Sequence, residues 1–345
     1  MYFKLEHNAS DILIQENEKL SFPYTLKPEI QIIIEMRKKS DNSQIEKSHA
    51  ICSAITIRKV NHKNEFIFKK LEENSYKEMD SFENPCSTYL INKVRYFVPD
   101  LSFFPNHFSE FIRQIYGELN FALKNTLRTL KWIYDIETEH VSIGVTNYYW
   151  SRDNQIWHNL PLSRFLTDFS FHSYIEFSNE KKELLLQQLN KRHFEPEFHV
   201  LYREGRKLLL NNPRSATVIS VAALEFAVKS CIVYLNPKST WLIESFQSPP
   251  VFKIIKEYLP DLTADIYYNG IKINIPERIH IEIQNIVTNR NQIVHRAAPP
   301  LEFKSLRNKL IAIKDVLHII DFYMGNQWAL EYISDETEVE LGLRK

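Results

Sequence analysis

The hydrophobic period of this chain changes at Phe194-Glu195-Pro196-Glu197, and that change limits what the chain can fold into. Upstream, Ile30–Met36, Ala54–Arg58, Glu65–Phe68 and Val94–Val98 are short β-branched and aromatic runs between polar stretches, the pattern of an antiparallel sheet. Residues 105–134 carry Phe108, Phe111, Ile112, Ile115, Leu119, Leu123, Leu127 and Leu130 at helical spacing, with Asn106 as the expected cap. Val145–Trp150, a polar loop and Ile156–His158 predict a hairpin, and Lys181–Lys191 a short helix. Proline disfavours helical geometry in the residue before it, so the Phe194–Glu197 step is the expected joint. Downstream, helices are expected over Glu197–Leu210, Pro213–Leu235, Val251–Leu259 between Pro249-Pro250 and Pro260, Pro276–Ala298, and Leu301–Met324. The expectation is an α+β chain with a mixed module over 1–195 and an all-helical bundle over 196–325. Residues 326–345, with Asp335, Glu336, Glu338 and Glu340, form an acidic tail.

Composition excludes several classes of function. The chain has 345 residues, 44% of them hydrophobic, enough for two cores. Its 43 basic residues balance 43 acidic ones, which argues against coating nucleic acid or an anionic membrane through bulk charge. Any such binding is local. Arg278, Arg290, Arg296, Lys304, Arg307, Lys309 and Lys314 face Glu277, Glu282, Glu302 and Asp315 in a weak basic patch. Only 6 glycines occur, so neither a Walker loop nor a dinucleotide fingerprint can be built. Cys52, Cys86 and Cys231 are far apart, which argues against a zinc site or a disulfide framework and fits reduced thiols in the cytoplasm. No stretch resembles a signal peptide, and the longest apolar run is interrupted by Glu225 and Lys229, so no membrane span is expected.

Chemistry concentrates in Arg290-Asn291-Gln292-Ile293-Val294-His295. At about 100° per residue, Ile279, Ile283, Ile286, Val287, Ile293 and Val294 form one apolar stripe with Arg290 in its middle. Arginine cannot shed its proton, so a guanidinium there needs a partner or a ligand. Asn291 and His295 are four apart and share a flank, whereas His295 lies about 140° round from Arg290. His295 falls in the last turn of its helix, where a cation is favoured by about 0.3–1 kcal/mol. Arg290 can offer a bidentate fork to an anion such as phosphate, His295 can give or take a proton near neutral pH, and Asn291 can orient either the anion or the imidazole.

From about Glu197 to Met324 the chain resembles HEPN domains (higher eukaryotes and prokaryotes nucleotide-binding), all-α modules whose ribonuclease members carry Arg, a polar residue, a few more residues and then His. Arg290, Asn291 and His295 match that motif residue by residue. The run Ala216-Thr-Val-Ile-Ser-Val-Ala-Ala-Leu-Glu-Phe-Ala-Val228 resembles the family's long apolar helix, with an Ala-Leu-Glu step at Leu224-Glu225. The resemblance implies a metal-independent endoribonuclease without a cofactor, acting on RNA as a homodimer through the motif helix. It also implies a toxin or phage-defence role, with a regulatory protein or trigger bound by the N-terminal module. The other reading is a non-catalytic HEPN-like scaffold that binds nucleotide, RNA or protein and dimerises.

Glu225 has two readings as well. It can pair with Arg290, since each is a lone charge on an apolar helix, or with Lys229 one turn later on its own helix. Tyr148, Tyr149, Trp150 and Trp157 could stack bases, although hairpin core is the commoner use of such residues. His158, His193 and His199 have no adjacent nucleophile or ligand set and are expected to be surface or hydrogen-bonded histidines. No local signature of Ser-His-Asp or Cys-His catalysis occurs.

Overall fold

The computed structural model describes residues 1–9, 12–13, 19–36, 50–73, 86–91, 94–99, 104–136, 146–160, 173–174, 178–245 and 250–344. Val145 and Pro249, named above, lie outside them. The fold is α+β and divides into two compact units, Met1–Phe194 and Glu195–Lys345.

The first unit is built on a six-stranded antiparallel sheet. In chain order its elements are β1 (Tyr2–Ala9), β2 (Ile12–Leu13), β3 (Lys19–Tyr24), β4 (Lys27–Met36), β5 (Ala50–Ile57), α1 (His62–Glu72), β6 (Cys86–Ile91), β7 (Val94–Pro99), α2 (Asn106–Ile133), β8 (Thr146–Ser151), β9 (His158–Leu160), β10 (Ser173–Tyr174) and α3 (Asn179–Asn190). The sheet runs β3-β4-β5-β1-β8-β9, while β6 with β7 and β2 with β10 make two small separate pairs. β1 is central, with Leu5 opposite Ala54 of β5 and Tyr148 of β8. One face carries Phe3, Leu5, Ile30, Ile32, Ile34, Cys52 and Ala54, all buried. Helix α2 covers the core with Phe108, Ile112, Ile115, Leu119 and Leu123. Its cap is Pro105 rather than Asn106, because Asn106 already has helical geometry and no side chain caps this end.

Glu65–Phe68, expected as a strand, is helical. Asn61 caps α1 by accepting a hydrogen bond from Asn64 N at 2.8 Å. The helix then turns Ile67 and Phe68 inward and leaves Phe66 exposed. Phe68 sits 5.1 Å from Phe108, 4.9 Å from Trp150 and 5.7 Å from Phe3, ring centre to ring centre. Four consecutive residues cannot separate a strand from a helix by period, and the cap decided it.

The second unit is helical nearly throughout. It contains α4 (Glu197–Lys207), α5 (Pro213–Leu235), α6 (Thr240–Ser245), α7 (Val251–Lys253), a π-helical turn (Ile254–Tyr258), α8 (Leu259–Leu262), β11 (Tyr267–Tyr268), β12 (Ile271–Lys272), α9 (Glu277–Arg296), α10 (Phe303–Tyr323), a 3-10 turn (Gln327–Tyr332) and α11 (Asp335–Glu340). The helix expected to stop before Pro260 instead runs through it. Pro260 has no N–H to offer the preceding turn, and the π-helical turn accommodates the gap. β11 and β12 pair across Asn269 and Gly270, both at positive φ, so the unit expected to be all helical contains one tight hairpin.

α5 is the central helix, packed by α4, α9 and α10. By length and composition it could cross a membrane, which corrects the expectation that no stretch is long enough. Its Ala216, Val221, Leu224, Ala227, Val228 and Ile232 nevertheless lie in the core of this unit, an arrangement compatible with a soluble protein. Gly205 of α4 lets the two helices close up: a Cβ there would stand 2.3 Å from Ser220 Oγ and 3.1 Å from Ser220 N.

Residues 326–344, set apart in the sequence as an acidic tail, pack into this unit instead. Leu330, Ile333 and Leu341 join its core. The fully buried Asp315 of α10 accepts hydrogen bonds from Ser334 N (2.8 Å), Ser334 Oγ (2.6 Å) and Thr337 Oγ1 (2.6 Å). Arg278 pairs with Glu336 and Glu340 and donates to Thr337 Oγ1. Acidity in the tail therefore serves contacts within the unit.

Candidate functional site

Helix α9 is set by its ends. Pro276 precedes it, Glu277 places a carboxylate in its first turn, and Ala297 ends it in the left-handed conformation at φ 51° before Pro299 and Pro300. The N–H of Ala297 bonds Gln292 O, and Arg214, near the start of α5, donates to Ala297 O at 3.3 Å. Ile279, Ile283 and Ile286 are fully buried, but Val294 is 50% exposed. The apolar stripe thus outruns the core by about two turns. Arg290 stands where the core ends and the surface begins, not in the middle of a buried seam.

Arg290 is held from two sides. Its Nη2 is 3.4 Å from Glu225 Oε1 of α5, with both side chains about four-fifths buried. Its Nη1 donates to Asn291 Oδ1 at 3.0 Å. Among the described residues its Nε, which is buried, has no hydrogen-bond partner. A guanidinium offers five N–H donors, and a saturated carboxylate fork makes two short parallel bonds. Arg290 has one long ion contact and one amide contact, so its fork remains largely unspent. Asn289, behind it on the helix, is buried, and its Oδ1 has no partner among the described residues.

His295 is exposed in the last turn of α9. Among the described residues, no hydrogen bond or ion pair joins it to Arg290 or Asn291. Five residues of helix separate His295 from Arg290 by about 7.5 Å of rise and 140° of rotation. The structure therefore brings together Arg290, Asn291 and Glu225, and places His295 at the same helix end without bringing it to them.

The surface next to Arg290 is apolar in part. On α5, Ala222, Glu225, Phe226 and Lys229 are spaced to share a face, and Phe226 is 41% exposed. The basic patch read from the sequence is smaller than counted. Lys309 pairs with Glu282 at 2.7 Å and Arg278 with the C-terminal acids, leaving Arg296, Lys304 and Arg307 exposed.

The other candidates resolve differently. Trp150 is core, Tyr148 packs edge-on against Tyr116 at 4.7 Å, and the Lys4 ammonium lies 4.5 Å from the ring centres of both Tyr149 and Trp157. These aromatics are committed to packing. Burial, and then the charge of Asp321, push the Cys231 thiol up to about 12, so it is no nucleophile at neutral pH. His158 stacks on Trp150 with ring centres 4.6 Å apart.

Of the two expectations for His199, surface or hydrogen-bonded, the second holds: it is buried and bonded. Its Nε2 lies 2.7 Å from Asp321 Oδ2, and His318 is beside them. Among the described residues, these three form the one set of His, Cys, Asp or Glu side chains whose ligand atoms all fall within 4.8 Å of one another. Only the His318/Asp321 spacing of three on a helix was visible in the sequence; His199 lies 122 residues from Asp321.

No protein-family model matches the chain, no curated protein matches its sequence, and no solved structure matches its fold.

Proposed function

We propose that the helical unit is a metal-independent endoribonuclease of HEPN type, cutting RNA by 2′-OH attack at a site formed by Arg290, Asn291 and His295 of two copies of the chain. The observation that carries this reading is the unsaturated guanidinium of Arg290, oriented by Glu225 and Asn291 at the surface end of α9. A phosphate oxygen pair suits the donors that Glu225 leaves unused.

An imidazole takes the 2′-OH proton as the 2′-oxygen attacks phosphorus. The P–O5′ bond breaks, and the leaving 5′-oxygen takes a proton from a second imidazole. Arg290 stabilises the charge on the non-bridging oxygens. The products are a 2′,3′-cyclic phosphate and a 5′-hydroxyl. Each motif holds one histidine, so two copies related by a two-fold axis supply the acid and the base. The exposed Val294 and Phe226 next to Arg290 support such an interface, since covering apolar surface stabilises association by about 25 cal/mol per Å².

A toxin or phage-defence role in the cytoplasm, with a regulatory protein or trigger acting through the first unit, follows from the resemblance; the buried free thiols Cys52 and Cys231 are in keeping with a reducing compartment. The competing reading, a non-catalytic HEPN-like scaffold, is favoured by one observation: the Glu225–Arg290 contact also ties α5 to α9.

Cleavage of single-stranded RNA in EDTA separates the two. The nuclease reading expects cyclic phosphate ends, intact DNA, a dimeric mass in solution, and loss of cutting with retention of RNA binding in Arg290→Ala and His295→Ala. Binding without cutting in the wild type, with any activating partner supplied, leaves the scaffold.

A further inference from the structure

A second group of chemistry-bearing side chains lies on elements that the Arg290/His295 reading does not use. His199 stands in the first turn of α4, and His318 and Asp321 are three residues apart on α10, on one face of that helix. Their ligand atoms lie within 4.8 Å of one another, the two imidazole rings are 5.2 Å apart, and His199 Nε2 reaches Asp321 Oδ2 at 2.7 Å. Exposure is 6% for His199, 2% for His318 and zero for Asp321. Phe198, 4.8 Å from the His199 ring, and Tyr332, 5.6 Å from the His318 ring, border the cluster.

A carboxylate with no exposure in an apolar interior is stabilised only beside positive charge or strong donors. His199 Nε2, 2.7 Å from Asp321 Oδ2, is one such donor. A divalent cation engages all three side chains. Two imidazole nitrogens and one carboxylate oxygen are the donor set of zinc and its first-row neighbours, which magnesium and calcium do not favour. Metal–ligand distances of about 2.0–2.2 Å bring tetrahedral ligands to about 3.4 Å from one another. Ligand atoms as far apart as 4.8 Å close by about 1.4 Å and the His199–Asp321 pair opens from 2.7 Å by about 0.7 Å, adjustments of the size that side-chain torsions supply.

We propose that His199, His318 and Asp321 form a binding site for a divalent transition cation, zinc first among them, that ties the start of α4 to the end of α10. Full burial assigns the ion a structural role, with a water or a neighbouring donor as fourth ligand. Binding then adds to folding stability, because the unfolded chain offers no such convergence of ligands. The site is independent of the ribonuclease reading: its loss lowers stability, whereas loss of Arg290 or His295 stops cutting in a folded protein.

The test uses the full chain, stripped of metal by a chelator and then titrated with Zn²⁺ and, separately, Co²⁺. The expected result is one equivalent bound per chain, a melting temperature raised by several degrees, and the visible absorption of low-coordinate cobalt with nitrogen ligands. His318→Ala and Asp321→Asn, checked for folding by circular dichroism, should lose the cobalt spectrum and the thermal shift, while His193→Ala, at an exposed histidine, keeps both. The wild-type titration decides the matter even if neither variant folds. A wild-type protein that binds no stoichiometric zinc and melts at the same temperature with and without it overturns the proposal and leaves a hydrogen bond between His199 and Asp321. Retention of the cobalt spectrum in a folded His318→Ala protein overturns it equally.

Discussion

Glu225 holds Arg290 across the α5–α9 contact through a single ion contact of 3.4 Å, longer than a charge-assisted hydrogen bond, while Arg290 Nη1 bonds Asn291 at 3.0 Å. The acid positions the guanidinium without saturating it. Glu225→Ala should therefore lower stability by about 1–3 kcal/mol through the stranded, mostly buried cation. A double-mutant cycle with Arg290→Ala should give a coupling of at least about 0.5 kcal/mol. Additive losses in denaturant melts would mean that the contact has no energetic role.

Gly205→Ala tests the close approach of α4 and α5. Alanine in an exposed helix interior normally gains about 1 kcal/mol over glycine. Here the new methyl would meet Ser220 Oγ at 2.3 Å, Ser220 N at 3.1 Å and Ala216 O at 3.3 Å, and the last two are backbone atoms that cannot rotate away. The expected outcome is a loss of about 1–3 kcal/mol, partly restored by Ser220→Ala. A raised melting temperature for Gly205→Ala alone would contradict the packing.

Asp315→Ala removes the acceptor for Ser334 N, Ser334 Oγ and Thr337 Oγ1. The expected cost is about 2–4 kcal/mol, since the donors lose a shared buried carboxylate. Hydrogen exchange should rise over 334–341 before it rises elsewhere in the helical unit. Unchanged protection of that segment would show that its apolar contacts alone hold it.

The first unit carries a pH-dependent tie at Glu118 of α2. Burial by itself would raise this carboxyl, but hydrogen bonds and charge from Lys27 at 2.9 Å and Arg58 at 2.7 Å outweigh it and hold the group below the ordinary glutamate value. A folded-state value below the unfolded one contributes stability that is complete above the unfolded value of about 4.3 and is lost as pH falls through the folded value. Glu118→Gln should thus lower the melting temperature at neutral pH, and the difference from wild type should shrink as the pH falls below about 4. A difference independent of pH would exclude the charge as its source.

Legibility in the sequence followed the range of each interaction. Prolines at 276, 299 and 300 and a strict apolar period made α9 readable almost to the residue. Glu225 and Arg290 could be matched because each interrupts an apolar helix. β1 is not among the expected strands although apolar residues alternate there with Lys4 and Glu6; that alternation suggests an open face, whereas both are buried and Lys4 lies against Tyr149 and Trp157. Glu65–Phe68 has strand composition, and its helix depends on a cap at Asn61 and on Phe68 finding Trp150 far along the chain. Long separation also hid the His199 cluster, and the acidic tail concealed its partners Arg278 and Asp315.

The most direct test of the proposed chemistry is cleavage of one single-stranded RNA by wild type, Arg290→Ala and His295→Ala in EDTA, with any activating partner present. A matched strand carries 2′-deoxyribose at each mapped cut site. The account predicts that the wild type cuts the RNA, leaves 2′,3′-cyclic phosphate and fails at the deoxy positions. Both variants, folded and still binding RNA, should be inactive. Cutting at the deoxy positions, equal cutting by either variant, or activity that disappears with chelation and returns with magnesium while the protein stays folded would contradict it.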